Sequence, residues 1–380
     1  MAIANEPPDD VLIDILSWLP AKSILRFKSV SKHWYSLIQN PSFISLHRAH
    51  ARTFHCVSLV HTDGDDPYHW SMHLLPDQAS HHDLDLSFVR PRLSKDFDHQ
   101  GSCNGLVCLS LKSNIVICNP ATREYRLLPQ PPYCTWHTHY LGFAFDSETD
   151  DYRVVRFATP RETDDYRIVR FATPRETSET MRVIDHRTHI YCMSADSWKE
   201  LVVVARNHDF TGYHHHPCTS LDGVFYWLSS NAYPYGHTKI DAVNTVEGWF
   251  ERRSLPASVC SHLQTNLCLL NDSLALVAPL YDNWLDTQFD VWLMDEYGVQ
   301  ECWTKKYTIG PILGSHRPFG FQPNNEVLMT GCDNGMIVSY NHGIGDIKVY
   351  KQLCNLPEVG FLRQVFQYSE NLVSVKRRLD

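Results

Sequence analysis

From residue 101 to the C-terminus the chain repeats one pattern: short runs rich in Val, Ile, Phe, Tyr and Trp, separated by turns, each group closing on an aromatic beside charged residues. The closing runs are Tyr125-Arg126-Leu127-Leu128, Ser197-Trp198-Lys199-Glu200-Leu201, Trp249-Phe250-Glu251-Arg252-Arg253, Trp303-Thr304-Lys305-Lys306-Tyr307 and Lys348-Val349-Tyr350-Lys351. They return about every 50 residues, a period that marks repeated β units. Between them, Leu221-Asp222-Gly223-Val224-Phe225-Tyr226-Trp227-Leu228 and residues 272–278, 290–294, 326–330 and 335–340 have strand composition. Asn119-Pro120-Ala121-Thr122-Arg123-Glu124 reads as a turn between two strands.

A flat sheet of this many strands would expose long edges, whereas a ring of five or six four-stranded units leaves only short ones. Residues 101–380 are therefore expected to form a large all-β domain, a kelch-like β-propeller, with packed β-sandwiches as the alternative. Aromatics at fixed places would pack one unit against the next. Residues 51–100 lack the rhythm and read as an irregular connection with the first strands, the polar clusters at 63–66 and His81-His82-Asp83 being the least regular part. A second repeat is of another kind: residues 148–161, ETDDYRVVRFATPR, are followed at once by residues 162–175, which differ only in Ile168 for Val154. One strand slot cannot hold both copies, so one is expected to become an extra hairpin or a surface loop.

Residues 1–50 have a helical period instead. The stretch 8–47 predicts three short helices, the first ended by Pro20, the second over 21–30 with Ile24, Leu25 and Phe27 inward. Ser31 is placed to cap the third, which carries Trp34, Leu37 and Ile38 and is stopped by Asn40-Pro41. At about 100° per residue, Val11, Leu12, Ile13, Ile15, Leu16, Trp18 and Leu19 spread over roughly 220° of the first helix, leaving only Asp10, Asp14 and Ser17 on a polar face. An apolar arc of about 100° seats a helix on its own core, so the excess requires a second covering surface. A unit of about 40 residues is also near the lower limit for folding alone, so stability must come from a partner or from the rest of the chain.

Motifs for catalysis and metal binding do not compete with this. Gly101-Ser102-Cys103-Asn104-Gly105 has the form of a nucleophile elbow, but a strand follows where the elbow needs a helix, and the glycines read as turn residues. His214-His215-His216 near Asp209 and Cys218, and His137 and His139 near Cys134, lack the paired spacing of a zinc site and read as solvated loops in a chain of 22 histidines. No phosphate-cradling glycine loop occurs, and no metal or cofactor is expected. The net charge of −9 argues against a nucleic-acid partner. No apolar run reaches the ~18 residues that span a bilayer, and residues 1–10 lack signal-peptide features, so the expected location is the cytoplasm, with the nucleus second. In that compartment the 12 cysteines stay reduced, with Cys103, Cys108, Cys118, Cys268 and Cys332 acting as small hydrophobes, and the sequon at Asn271 stays bare.

Ile15-Leu16-Ser17-Trp18-Leu19-Pro20, Lys22-Ser23-Ile24-Leu25-Arg26-Phe27, Val30-Ser31-Lys32 and Trp34, followed by Leu37-Ile38, Pro41 and Phe43, resemble an F-box. The resemblance covers the whole helical stretch. It implies docking onto a Skp-type adaptor, and through it onto a cullin ubiquitin ligase, by Pro8, Leu12, Ile15, Leu16, Leu19, Pro20, Ile24, Leu25, Val30, Trp34, Leu37 and Ile38. Two positions depart from the pattern: Pro7-Pro8 stands where Leu-Pro is usual, and Trp18 where a charged residue is common.

The body extends the resemblance. Gly101-Ser102-Cys103-Asn104-Gly105-Leu106-Val107, Cys118-Asn119-Pro120-Ala121-Thr122-Arg123, Asp151-Tyr152-Arg153-Val154-Val155, Asp196-Ser197-Trp198-Lys199, Val291-Trp292-Leu293-Met294 and Tyr368-Ser369-Glu370-Asn371-Leu372-Val373-Ser374 are similar to the plant F-box-associated domain, closest to the S-locus F-box proteins of the rose family. That implies a non-catalytic substrate receptor whose protein target, in true S-locus members, is a pistil S-ribonuclease. The alternatives are a relative acting in general turnover or defence, and a β-propeller enzyme or glycan-binding module carrying the F-box as a handle. Loops at 133–140, 208–218 and 281–286 are the expected target-reading segments, because loops tolerate variation that strands do not.

Overall fold

The computed structural model describes residues 7–51, 53–63, 66–75, 86, 88–89, 98–111, 114–132, 137–159, 167–168, 182–183, 187–201, 204–205, 218–221, 223–230, 238–245, 247, 249–256, 258–259, 265–271, 273–280, 286–294, 303–313, 317–322, 324–330, 336–352 and 361–376. The chain divides into two compact units, residues 1–128 with 355–380, and residues 129–354.

The first unit begins with four helices rather than three: α1 (Asp9–Ser17), α2 (Ala21–Phe27), α3 (Lys32–Ile38) and α4 (Pro41–His50). Asp9 and Asp10 lie in the first turn of α1, where the helix dipole favours negative charge. Ser31 caps α3 as its position suggests, Oγ accepting the Trp34 N–H at 3.1 Å. The expected stop at Asn40-Pro41 is also a start. Asn40 Oδ1 accepts the Ser42 N–H at 2.9 Å, and Pro41 takes a first-turn place where its missing N–H would have had no partner. Leu12, Leu16, Ala21, Ile24, Leu37, Ile38 and Phe43 form the core of the four helices.

Strands β1 (Thr53–Asp63) and β2 (Asp66–Leu75) pair antiparallel, with a register shift between His61 and Asp63, in the stretch read as an irregular connection with the first strands. Then β3 (Asp98–Cys103), β4 (Leu106–Leu111), β5 (Asn114–Asn119) and β6 (Glu124–Leu127) make a four-stranded meander. Cys103 pairs with Leu106, so the β3–β4 turn is the two residues Asn104 and Gly105, with φ of 48° and 77°. Positive φ at both places is the mirror-image turn that suits strand twist, and it makes the elbow-like motif a hairpin.

The second unit holds β7 (His137–Asp146), β8 (Asp151–Thr159), β9 (Arg167–Ile168), β10 (Arg182–Val183), β11 (Arg187–Cys192), β12 (Ser197–Leu201) and β13 (Val204–Ala205). It continues with β14 (Thr219–Leu221), β15 (Val224–Ser230), β16 (Thr238–Asn244), β17 (Trp249–Ser254), β18 (Asn266–Leu270), β19 (Ser273–Pro279) and β20 (Asp286–Met294). The unit closes with β21 (Trp303–Leu313), β22 (Arg317–Phe321), β23 (Val327–Thr330), β24 (Met336–Asn341) and β25 (Asp346–Gln352). The sheets run β12-β11-β8-β7, β13-β17-β16-β15-β14, β18-β19-β20-β21 and β22-β23-β24-β25. The aromatic-and-charge runs of the sequence are β6, β12, β17, β21 and β25; each is an edge strand except β17, which only the two-residue β13 covers.

Burial separates the two expected architectures. Along β15, Phe225 and Trp227 pack with Ala144, Val155 and Ile190 of the preceding sheet, while Val224, Tyr226 and Leu228 pack with Leu267, Leu274 and Leu276 of the following one. Along β19 the alternation repeats, with Ala275 and Val277 joining a cluster that reaches Val327, Met329 and Val338. Successive side chains on a strand point to opposite faces, so these sheets are covered on both faces. Paired sandwiches would leave one face of each sheet in water; stacked blades of a β-propeller do not.

The duplicated segment divides as the strand-slot argument requires. The first copy supplies β8, a central strand paired with β7 and β11; of the second copy the described residues are Arg167–Ile168, which form β9 and pair with β10 in a separate two-stranded sheet. The last strand, β26 (Phe361–Ser369), belongs to the first unit and pairs antiparallel with β1 from Thr53↔Ser369 to Val60↔Phe361. That partner lies some three hundred residues away in sequence, so no local signal announces the pairing. Phe366 and Tyr368 of β26 pack with Val89, Val107, Leu109, Val116 and Cys118.

Candidate functional site

Helix α1 carries two apolar stripes at helical spacing. Leu12 and Leu16 face inward, at 7 % and 2 % exposure, and Leu19 just beyond the helix is half-buried. Val11, Ile15 and Trp18, one residue earlier in each case, lie on the outside, Ile15 at 54 % and Trp18 at 65 % exposure. Val30 after α2 and Tyr35 on α3 are exposed as well. Trp18 is held by a stack on His50 of α4, centroids 4.0 Å apart, and His50 Nδ1 lies 2.8 Å from Ser17 Oγ. The ring is therefore fixed in orientation while most of its surface meets solvent. Covering one such side chain is worth about 1.5–3 kcal/mol, which makes the outer stripe a docking surface in chemical terms.

The residues expected to dock sort into three groups. Pro8, Ile15, Pro20 and Val30 are exposed; Leu19, Leu25 and Trp34 are half-buried; Leu12, Leu16, Ile24, Leu37 and Ile38 are buried in the helical core. Val11, Trp18 and Tyr35, exposed but outside the expected set, complete the apolar surface. The wide arc of α1 had contained both stripes; what it could not show was which one the other helices and Leu372 would cover.

Charge around this surface is divided, with Asp9, Asp10 and Asp14 exposed on α1 and Lys22, Arg26 and Lys32 exposed on α2 and α3. His33 Nε2 meets Asp9 Oδ1 at 2.8 Å and ties α3 to the start of α1. Beneath the face, buried His47 donates from Nε2 to the Leu19 carbonyl at 2.9 Å, while its Nδ1 has no hydrogen-bond partner among the described residues. Burial holds its pKa below the ordinary 6.5, against the opposing pull of that carbonyl.

Cys103 ends β3, and burial pushes the Cys118 and Cys268 thiols up to about 12 and raises Cys108 as well, which removes them as nucleophiles at neutral pH. Among the described residues no three His, Cys, Asp or Glu are grouped to hold a metal, and no helix is long and apolar enough to cross a membrane. Residues 206–217, with the histidine triplet, lie outside the described residues, as do 133–136, 281–285 and Cys332; His137 and His139 fall in β7.

Residues 8–46 match the F-box domain, and residues 71–375 match the family described as the F-box associated beta propeller domain. The chain belongs to the F-box proteins with an F-box-associated β-propeller. Its relatives include the Arabidopsis thaliana F-box protein At5g49610, 27 % identical over 310 residues that cover 78 % of this chain and 77 % of the relative. F-box protein CPR1 of the same plant is 27 % identical over 322 residues, 80 % of this chain and 72 % of the relative. Among solved structures, one from a nidogen/laminin complex aligns with a TM-score of 0.47 at 12 % identity, covering 84 % of this chain and 100 % of that one. The helices α1–α4 are thus the F-box, and the outer stripe of α1 lies within it.

Proposed function

We propose that this F-box protein is the substrate-recognition subunit of a Skp-cullin-F-box ubiquitin ligase, non-catalytic in itself. The F-box docks a Skp-type adaptor through Val11, Ile15, Trp18, Val30 and Tyr35 with the half-buried Leu19, Leu25 and Trp34, while the β domain holds a protein target. Its contribution to ubiquitin transfer is proximity: a target lysine is held near a charged conjugating enzyme. The observation that carries this reading is the fixed, solvent-facing stripe of α1 inside a segment that matches the F-box.

Burial decides which variants test it. Leu16→Asp would place a charge in the helical core and unfold the domain, so loss of binding would say nothing about the surface. Ile15→Asp with Trp18→Ala alters exposed side chains only. The expected outcome is at least about a 30-fold loss of affinity for purified Skp-type adaptor, the scale of an interface hot spot, with an unchanged melting temperature. Undiminished binding of the double variant would refute the docking face. For the target, the similarity of the body motifs to S-locus F-box proteins supports a secreted ribonuclease of the S-ribonuclease class. Titration of the purified protein with S-ribonucleases tests that finer reading, and failure of all of them to bind would leave a receptor for general turnover or defence.

A further inference from the structure

We propose that residues 369–376 form a latch that locks the F-box to the β3–β6 sheet and so fixes the direction in which the docked adaptor points, with Glu370 as its positioning residue. This rests on the substrate-receptor reading. The link between α4 and β1 is only residues 51–52, which limits distance but leaves rotation about the link open.

From Glu370 on the tail has no strand or helix, and a segment of this kind is ordinarily loosely held. Here Asn371, Leu372 and Val375 are buried, at 0 %, 3 % and 0 % exposure. Each neighbour has a gap that the tail fills. At α2, the N-cap position is Pro20, which has no side-chain acceptor for the first amides of the helix; Glu370 Oε2 accepts the Ala21 N–H at 2.9 Å instead. Two residues on, Leu372 enters the helical core with Leu16, Ile24 and Ile38.

The same eight residues grip the sheet. Asn371 Nδ2 donates to the Asn104 carbonyl in the β3–β4 turn. A Cβ on Gly105 would run into the Ser369 carbonyl oxygen, so that turn admits only glycine beside the tail. In the β5–β6 turn, Asn119 Nδ2 donates to Asn371 Oδ1 at 2.7 Å and to the Val373 carbonyl at 2.8 Å, while Asn119 Oδ1 accepts the Ala121 N–H at 3.0 Å. On β6, Glu124 Oε2 accepts from Ser374 Oγ at 2.7 Å, and Arg126 Nε donates to the Val375 carbonyl at 2.6 Å. Ala121 of the β5–β6 turn packs on the helical core as well, so helices, turns and tail share one junction.

Ubiquitin transfer by proximity depends on orientation, and a displacement of about 1 Å in a positioned reactant can cost about a hundredfold in rate. A loose F-box would sweep the target past the conjugating enzyme instead of presenting it. The tail removes that freedom.

The test uses the full chain with Glu370→Ala, Glu370→Gln, the pair Glu370→Ala/Leu372→Ala, and Glu370→Ala/Ser374→Ala, which leaves the helical core untouched. Three measurements are made: amide hydrogen exchange at Ala21, NMR relaxation comparing the tumbling of α1–α4 with that of β3–β6, and ubiquitin transfer to the chain's own lysines in a ligase reconstituted on the purified adaptor. Glu370→Ala should speed Ala21 exchange about fivefold, as loss of a cap does, and Glu370→Gln, which keeps an acceptor oxygen, should restore protection. Both double variants should let the helices tumble apart from the sheet, cut transfer about tenfold and spread it over more lysines, at unchanged adaptor affinity. If the pair with Leu372→Ala unfolds the helices, the Ser374 pair decides. Unchanged tumbling in the Ser374 pair, or an unchanged transfer rate and lysine pattern once its helices are loose, overturns the latch. A wild-type chain that binds no adaptor would overturn the receptor reading instead, with the exchange and relaxation arms still deciding the latch.

Discussion

The two copies of the duplicated segment differ at one position in fourteen; the first builds the nine-residue β8 at the centre of a four-stranded sheet, while the described residues of the second are Arg167–Ile168, the strand β9 that pairs antiparallel with β10. Val154 against Ile168 cannot cause this, since both are β-branched and both favour strands. The difference lies in what precedes each copy. Asp146, two residues before the first copy, accepts the Glu148 N–H at 3.0 Å and the Thr149 hydroxyl at 2.6 Å, and its carboxylate pairs with Arg153. The place equivalent to Asp146 before the second copy is Pro160. Downstream, Asp151 accepts from the Ser194 amide at 3.0 Å and hydroxyl at 2.7 Å, and β11 pairs with β8 along its length. Arg153-Val154 and their counterparts Arg167-Ile168 thus pair with different strands, according to the partners in place around each.

Three experiments can break that comparison. The largest effect is expected from Val155→Asp, which puts a charge among Phe225, Trp227 and Val243 between two sheets. It should cost at least about 4 kcal/mol and unfold the second unit, read by chemical denaturation. A stable variant would mean that the second copy can replace the first in the central slot.

Asp146→Ala comes next, at about 2 kcal/mol for the loss of hydrogen bonds to a charged group. Acid sharpens it. Burial alone would raise the Asp146 carboxyl, but the Thr149 hydroxyl, the Glu148 and Thr149 amides and the Arg153 charge outweigh burial and hold it below its ordinary 3.8. Because the folded value is the lower one, the stabilisation is complete above pH about 3.8 and is lost as pH falls through the folded value. Wild type and variant should therefore converge in stability once the pH falls below the folded value, where both carry an uncharged side chain at this position. A constant gap down to that pH would show that Asp146 acts through packing instead.

The smallest effect is expected from deleting residues 164–177. A strand pair of two residues on each side, as β9 makes with β10, adds little stability of its own, so the melting temperature should move by no more than the equivalent of about 0.5 kcal/mol. A large fall would show that both copies carry structure.

The same contrast explains which parts of the fold and site were legible. Asn104-Gly105, Ser31 and the aromatic edge runs act over a few residues, through allowed φ values, a side-chain cap and strand pairing, and each is found where the sequence placed it. The fourth helix was missed because Asn40-Pro41 ends one helix and begins another with the same two residues. Among the docking residues, Leu12 and Ile15 look alike in sequence, and only the positions of α2–α4 and Leu372 decide that one is core and the other surface. Glu370 and Asn371 were legible only as part of a motif similar to the F-box-associated domain; what they touch was not, because their partners Asn104, Asn119 and Ala21 lie some 250 to 350 residues away.

By itself the sequence determined the helical F-box, the repeated β units and the surplus of apolar surface on the first helix, since periodicity, turn chemistry and side-chain volume are local properties of the chain. Tertiary structure alone decided which apolar stripe faces water, which duplicate enters a sheet, and that the last residues of the chain join the first helices to the β3–β6 sheet. Those outcomes depend on contacts between residues remote in sequence, where neither propensity nor pattern specifies the partner.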